Sequence, residues 1–308
     1  MPGSPYHRFD AFIAPGADRL GILTALLGEL HLGCRIANIA GNRHLFVFSG
    51  SLWRNLKPGQ VLRGGLPITG GISPVSVVLV AHYDRAADSP GANDNSAAVF
   101  QLIEAALRLR EEGQTQWLII FTDKEELKTG EGIKNQGAYT LATILRESVL
   151  RRSRFFIFDA CGSGDTLVIS TMTDHLLHDE YGPGIPKTLH LARQLRSLAM
   201  ETARELHIDR VLLAPTPFSD DAGFLRAGMA AQTITVLPAA EAAQLASLLR
   251  NKPDFIDALI SREARNSRDE LLLPETWRCL NGPGDGPRRL TPRNYKQVVR
   301  FAAALCGG

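Results

Sequence analysis

The chain has 308 residues, 44% of them hydrophobic, which is ample for one large α/β domain with a buried core. Its 34 Lys+Arg and 32 Asp+Glu nearly cancel, and the formal net charge of +2 is not gathered into a basic run. That balance argues against nucleic acid as a partner and for a peptide or small molecule. Cys34, Cys161, Cys279 and Cys306 form no CxxC pair, a pattern that fits buried free thiols in a reducing compartment better than a disulfide scaffold. The opening "MPGSPYHRFDAF" has no basic segment running into an apolar core, and no apolar run is long enough to span a bilayer. A cytoplasmic protein with no membrane partner is expected.

In chain order, residues 18–32 place Leu20, Leu23, Leu27 and Leu30 on one helical face, with Gly33 as a stop. Apolar, β-rich runs follow at 44–49, 75–83, 117–123, 154–160, 210–215 and 232–238. Several are apolar almost throughout, as strands covered on both faces should be. Between them, 96–112 reads as a helix with Val99, Leu102, Ile103, Ala106 and Leu107 on one side and Gly113 past its end. The closing "TPRNYKQVVRFAAAL" offers Thr291 as a cap, Pro292 at the first helical position, and a face of Tyr295, Val298, Val299 and Ala302. The polar stretches 172–186 and 262–290 read as surface loops. The alternation predicts a single domain over 1–308, a three-layer α/β sandwich with a mixed, mostly parallel central sheet. In such sheets, ligands sit beyond the carboxyl ends of the strands.

Those ends carry the polar residues. His82 and Asp84 follow "VVLVA", Glu125 and Glu126 follow "LIIFTDK", Asp159 ends "FFIFD", and Ser219, Asp220 and Asp221 come shortly after "VLLAP". Singly, each has a plainer use: a surface histidine, a solvated acid pair, a turn residue, a helix cap. Together at one sheet edge they are costly unless a cation or a hydrogen-bond network compensates them. One histidine with several carboxylates is a nitrogen and oxygen donor set that suits Zn²⁺ and related ions.

The ordered set "AHYD", "GANDNSAA", "FTDKEE", "FFIFDACGSGD" and "FSDDAGFLRAG" resembles the co-catalytic zinc aminopeptidases of the MH clan, which also holds glutaminyl cyclases and glutamate carboxypeptidases. The resemblance runs from about residue 75 to 305 and implies a zinc-exopeptidase-like fold. Carried over motif by motif, it makes His82 and Asp159 ligands of a first metal, Asp94 the carboxylate bridging two metals, and Glu126 a ligand of the second. It makes Glu125 the general base and Asp84 the carboxylate that orients His82, and it implies a non-proline cis peptide at Asp94–Asn95. The implied activity is metal-assisted hydrolysis of a peptide or small amide, most simply by an aminopeptidase. A glutaminyl-cyclase-like acyltransferase and a non-catalytic binding descendant are the alternatives. The resemblance leaves the oligomeric state open.

The chain departs from the pattern at the last ligand, a histidine in the family. The segment "LNGPGD", 280–285, places Asn281 there, whereas counting directly from Trp277 would place Arg278. Three protein ligands remain for the first metal, whereas the second keeps Asp94 and Glu126 with at most a neutral carbonyl oxygen from Asn281, a set that favours a harder ion such as Mg²⁺ or Mn²⁺ or stays weakly occupied; one firm zinc and a weakened second site are expected. His175 and His178, in the stretch after Asp159, are the histidines that could fill the gap. Asp221 stands where a histidine is usual, adding negative charge, and the span 127–139 after Glu126 is longer than the family's usual link.

Overall fold

The structure is a computed structural model and describes residues 4–50, 75–128, 130–175, 185–260 and 268–307. Among the described residues the eight strands are β1 (Cys34–Ile39), β2 (Asn42–Phe48), β3 (Val77–His82), β4 (Trp117–Thr122), β5 (Arg154–Phe158), β6 (Thr166–Ser170), β7 (Val211–Ala214) and β8 (Ala231–Leu237). They form one sheet in the order β1-β2-β4-β3-β5-β8-β6-β7. Neighbouring pairs from β4 through β3 and β5 to β8 are parallel, whereas β1–β2, β2–β4 and β6–β8 are antiparallel. The sheet is therefore mixed around a parallel centre, as the sequence predicts.

The apolar strand sequences divide cleanly between the two faces because successive side chains point oppositely. Leu79, Ala81, Ile119, Phe121, Phe156 and Phe158 share one core with helices α1 (Phe9–Ile13), α2 (Arg19–Glu29), α3 (Ala98–Glu111), part of α5 (Ile185–Glu205) and α10 (Tyr295–Gly307). Val78, Val80, Leu118, Ile120, Phe155 and Ile157 share another with α4 (Gly137–Arg146) and α6 (Asp220–Arg226). The β6 end packs on α7 (Ala239–Asn251), α8 (Phe255–Ile260) and α9 (Glu275–Arg278). Among the described residues, no helix is long and apolar enough to cross a membrane.

Local signals explain most boundaries. Asp18 caps α2 by accepting from the Gly21 amide at 3.0 Å, and Leu20, Leu23, Leu27 and Leu30 are buried as expected. Two strands fall outside the predicted runs: β1 is an edge strand with few buried positions, and β6 is a five-residue run immediately after a Gly/Ser/Asp loop. Helix α3 begins at Ala98, later than expected, because residues 92–97 form a separate wide turn with non-helical backbone at Asp94 and Asn95. Thr291 does not cap. Its hydroxyl instead accepts from the Gly164 amide at 3.0 Å, tying the chain's last turn to the loop after β5. The stretch 262–290 is more than a surface loop, since its described part contains α9 and buries Trp277 and Asp285.

On the α3 face, Phe100 is fully buried and meets the rings of Tyr6, Phe9 and Phe12 at centroid distances of 5.9, 5.1 and 5.4 Å. Phe100→Ala is expected to cost about 3–5 kcal/mol of unfolding free energy in urea titration, because that space cannot collapse fully. A loss below about 1 kcal/mol would contradict this packing.

Candidate metal centre

The parallel strands end on the same side, and the site is assembled there. His82 is the last residue of β3 and is buried between carboxylates from two loops. Its Nε2 lies 3.0 Å from Asp94 Oδ1 and 3.6 Å from Asp159 Oδ1, while Nδ1 lies 3.4 Å from Asp84 Oδ1. Neither ring nitrogen nor Asp159 Oδ1 makes a hydrogen bond of good geometry. Buried polar atoms without partners are rare, and here they converge. His82, Asp94 and Asp159 each offer one atom within 4.8 Å of the others, the only such group of three among the described residues. One imidazole and two carboxylates around an open position fit a catalytic zinc in donor type and number.

The supporting contacts are specific. Asp84 turns one carboxylate oxygen to both His82 Nδ1 and the Glu125 amide (3.1 Å), and the other to the Glu126 amide (3.0 Å). It therefore couples the ligand histidine to the glutamate loop, which adds to its expected role of orienting His82. The wide turn carrying Asp94 starts at Gly91, whose φ of +62° suits glycine; a Cβ there would lie 2.8 Å from the Asp94 carbonyl oxygen. Within the turn, the Asp94–Asn95 peptide is cis, as the resemblance implied. Asn95 Nδ2 donates to the Phe158 carbonyl at 2.8 Å, and its Oδ1 accepts from the Ala160 amide at 3.3 Å, so the turn is fastened on both sides of Asp159. Lys124 and Ala160, flanking Glu125 and Asp159, take left-handed φ of 58° and 49°. Such conformations in residues other than glycine concentrate at functional sites.

Glu125 is buried, and its Oε1 accepts from Gln136 Nε2 at 3.1 Å; the same nitrogen also reaches the Ser219 carbonyl at 3.3 Å. Asn281, with φ +63°, lies at the Asp94 and Glu126 carboxylates, so the LNGPGD register is the one that folds into the site. Arg278 lines the adjoining cleft and is exposed. Three residues here have no assigned role in the sequence. Gln136 comes from the span after Glu126, at the start of α4. Asp285 is buried and accepts from the Asn93 and Asp94 amides at 2.9 and 3.0 Å, clamping the Asp94 turn to the loop bearing Asn281. Arg19, from α2, donates to the Asp84 carbonyl at 3.0 Å and to Ser96 Oγ. Only the "LNGPGD" match pointed to one of them, and it gave Asp285 no task.

Other expectations resolve differently. Asp221 is buried and accepts from the Ser219 amide at 2.9 Å, so it secures the start of α6. Asp220 is buried against Thr122 Oγ1 at 2.5 Å. His175 ends a short 3-10 turn and joins no ligand group, and His178 lies outside the described residues.

Burial opposes charge on His82, yet the carboxylates of Asp159, Asp84 and Asp94 outweigh it and hold its pKa well above the ordinary value. Burial likewise works against ionisation of Asp84 and Asp159, but the His82 charge overrides it and holds both below the usual range. Burial, with the Asp94 charge, pushes Glu126 up to about 9, and burial pushes Asp220 up to about 7. Burial, followed by the charge of Glu126, also raises Glu125 well above its usual value.

These shifts have a signed consequence. Folded, metal-free protein keeps protons on Asp220 and Glu126 that the unfolded chain has released above about pH 4. Their contribution to stability is therefore fullest in acid and falls as pH rises, through about 7 for Asp220 and about 9 for Glu126. His82 acts in the same direction, since its raised pKa favours the folded state until pH passes the folded value. Asp84 and Asp159, held low, matter only below about pH 4. A divalent cation favours the ionised acids and offsets the loss. The zinc-induced rise in thermal midpoint is accordingly expected to be larger at about pH 8 than at about pH 5.5. An equal rise at both would contradict the electrostatics described here.

Comparison with known proteins bears on this geometry. Residues 67–254, more than half of the chain, match peptidase family M28. No curated protein sequence matches the chain. Among solved structures, LapA aminopeptidase of Legionella pneumophila superposes with a TM-score of 0.59 at 12% identity, covering 99% of this chain and 70% of that one. A glutaminyl cyclase of Bacteroides thetaiotaomicron, bound to N-acetylhistamine, gives 0.56 at 16% identity, covering 98% and 96%. BSAP, a zinc aminopeptidase of Bacillus subtilis, gives 0.53 at 17% identity, covering 85% of this chain and 48% of its own. The chain thus spans about half the length of the Bacillus enzyme, and at these identities the likeness is one of fold. The family match, with its motifs arranged at the ends of β3, β4 and β5, makes the chain a member of peptidase family M28.

Proposed function

We propose that the chain is a metal-dependent hydrolase of peptide or amide bonds, acting as an aminopeptidase. One divalent cation, zinc by donor chemistry, would be held by His82, Asp94 and Asp159. The observation that carries the proposal is a single cleft lined by Asp94, Asp159, Glu125 and Asn281 together with Phe218, Leu259, Leu273, Trp277 and Leu280. Ligands, base and an apolar wall thus share one opening. A bound divalent cation supplies Lewis acidity to the scissile carbonyl and to water.

The chain's own groups do the rest. Gln136 holds Glu125 through Oε1, which assigns the proton to Oε2. That carboxylate takes a proton from water and later returns it to the leaving amine. The apolar wall receives a substrate side chain. With His82 neutral as a ligand, Asp84, Asp94 and Asp159 alone carry more negative charge than one divalent cation neutralises, and a cationic free amino terminus offsets that surplus. This favours cleavage at the amino end of peptides. The cyclase alternative is favoured by the full-length match in fold alone, and Asn281 removes the histidine which that chemistry uses.

Zinc-loaded protein is expected to hydrolyse aminoacyl-anilides with bulky apolar side chains and to leave N-acetylated versions intact. Glu125→Gln is expected to lower kcat by about 10²–10⁴-fold while zinc content stays unchanged. Release of ammonia from N-terminal glutamine without anilide cleavage would favour the cyclase, and zinc binding without turnover would favour a binder.

A further inference from the structure

The Asp94 carboxylate has two differently employed oxygens. Oδ1 faces His82 Nε2 at 3.0 Å, whereas Oδ2 turns toward Asn281 and Glu126. An Asn281 amide oxygen turned toward these carboxylates would meet only acceptors. Turned so that nitrogen meets the carboxylates, one N–H is shared by Glu126 Oε1 and Oε2, the latter at 3.0 Å, and the other reaches Asp94 Oδ2 at 3.1 Å. Donor paired with acceptor is the arrangement that hydrogen bonding selects. We infer that Asn281 closes the second cation site: its carboxamide N–H groups satisfy the Asp94 and Glu126 oxygens that would otherwise hold another ion, so the enzyme is mononuclear. This rests on the hydrolase proposal, which assigns the first ion to His82, Asp94 and Asp159.

Three observations support the inference. With its nitrogen toward the carboxylates Asn281 supplies donors and no ligand, and even its oxygen would be a neutral donor in place of an imidazole, so Asp94 and Glu126 are the only charged ligands on that side, fewer than a zinc site uses. No further group of three His, Cys, Asp or Glu exists among the described residues to make up the number. The position is also held in place. Asp285 clamps the Asp94 turn four residues along from Asn281, and asparagine tolerates the left-handed φ of +63° that the loop takes there. A neutral amide where an ion would add two charges leaves Glu126 stabilised by hydrogen bonds alone.

The test is metal stoichiometry, independent of turnover. Chelator-stripped protein is dialysed against Zn²⁺ and, separately, Mn²⁺, and metal per chain is measured by mass spectrometry. Wild type is expected to hold one equivalent of zinc. Asn281→His, which restores an imidazole beside Asp94 and Glu126 at a position histidine also tolerates, is expected to hold two, falling back to one with Glu126→Gln added. A wild-type chain holding two equivalents of either ion, the second lost in Glu126→Gln, overturns the inference. So does a folded Asn281→His that still holds one. Wild type holding none overturns the hydrolase proposal instead. Should Asn281→His fail to fold, cadmium NMR of wild type decides alone: one resonance supports closure, and two resonances overturn it.

Discussion

Six carboxylates, those of Asp84, Asp94, Glu125, Glu126, Asp159 and Asp285, are folded against the carboxyl edge of an apolar sheet, with a buried histidine ring among them. Ionised acids so placed are costly unless positive charge or hydrogen-bond donors meet them. Much of the local structure answers that constraint. Backbone amides from Glu125 and Glu126 go to Asp84, amides from Asn93 and Asp94 go to Asp285, and the Gln136 side chain goes to Glu125. What these donors leave unmet is the space facing His82 Nε2 and Asp159 Oδ1, the place a divalent cation fits.

The parallel centre of the sheet explains why this can be built. Strands β3, β4 and β5 run side by side, so the residues that follow them emerge at one edge although more than 70 positions separate His82 from Asp159. The wide turn over 92–97 then returns Asp94 to that edge, and Asn95 pins it to the end of β5. Precision at such a site depends on the groups that hold the ligands as much as on the ligands themselves. Here those groups come from the whole chain: Arg19 near its start, Gln136 in its middle and Asp285 near its end.

This division marks what was legible in the sequence. Apolar strands with acids at their ends are a local signal, and β3, β4, β5 and β8 could be read from it along with His82, Glu125, Glu126 and Asp159. Asp94 and Asn281 needed the ordered motifs, because an aspartate between two asparagines in a polar loop and an asparagine before Gly-Pro-Gly look like ordinary turns. Arg19, Gln136 and Asp285 carried no signal of their role, since arginine in a helix, glutamine in a loop and aspartate in a turn are common and their partners lie far away in sequence. Asp221 likewise gave no sign of its contact with the Ser219 amide at the start of α6. The short β6 and the exposed β1 lacked the long apolar run that identifies a covered strand.

A fold shared with both aminopeptidases and cyclases does not choose between their chemistries; the site does. The most direct measurement is anomalous scattering at the zinc absorption edge from crystals of the zinc-loaded protein. The account expects one strong peak within bonding distance of His82 Nε2, Asp94 and Asp159, with Glu125 beside it but not bound. A peak elsewhere, or none at these three side chains, would contradict it.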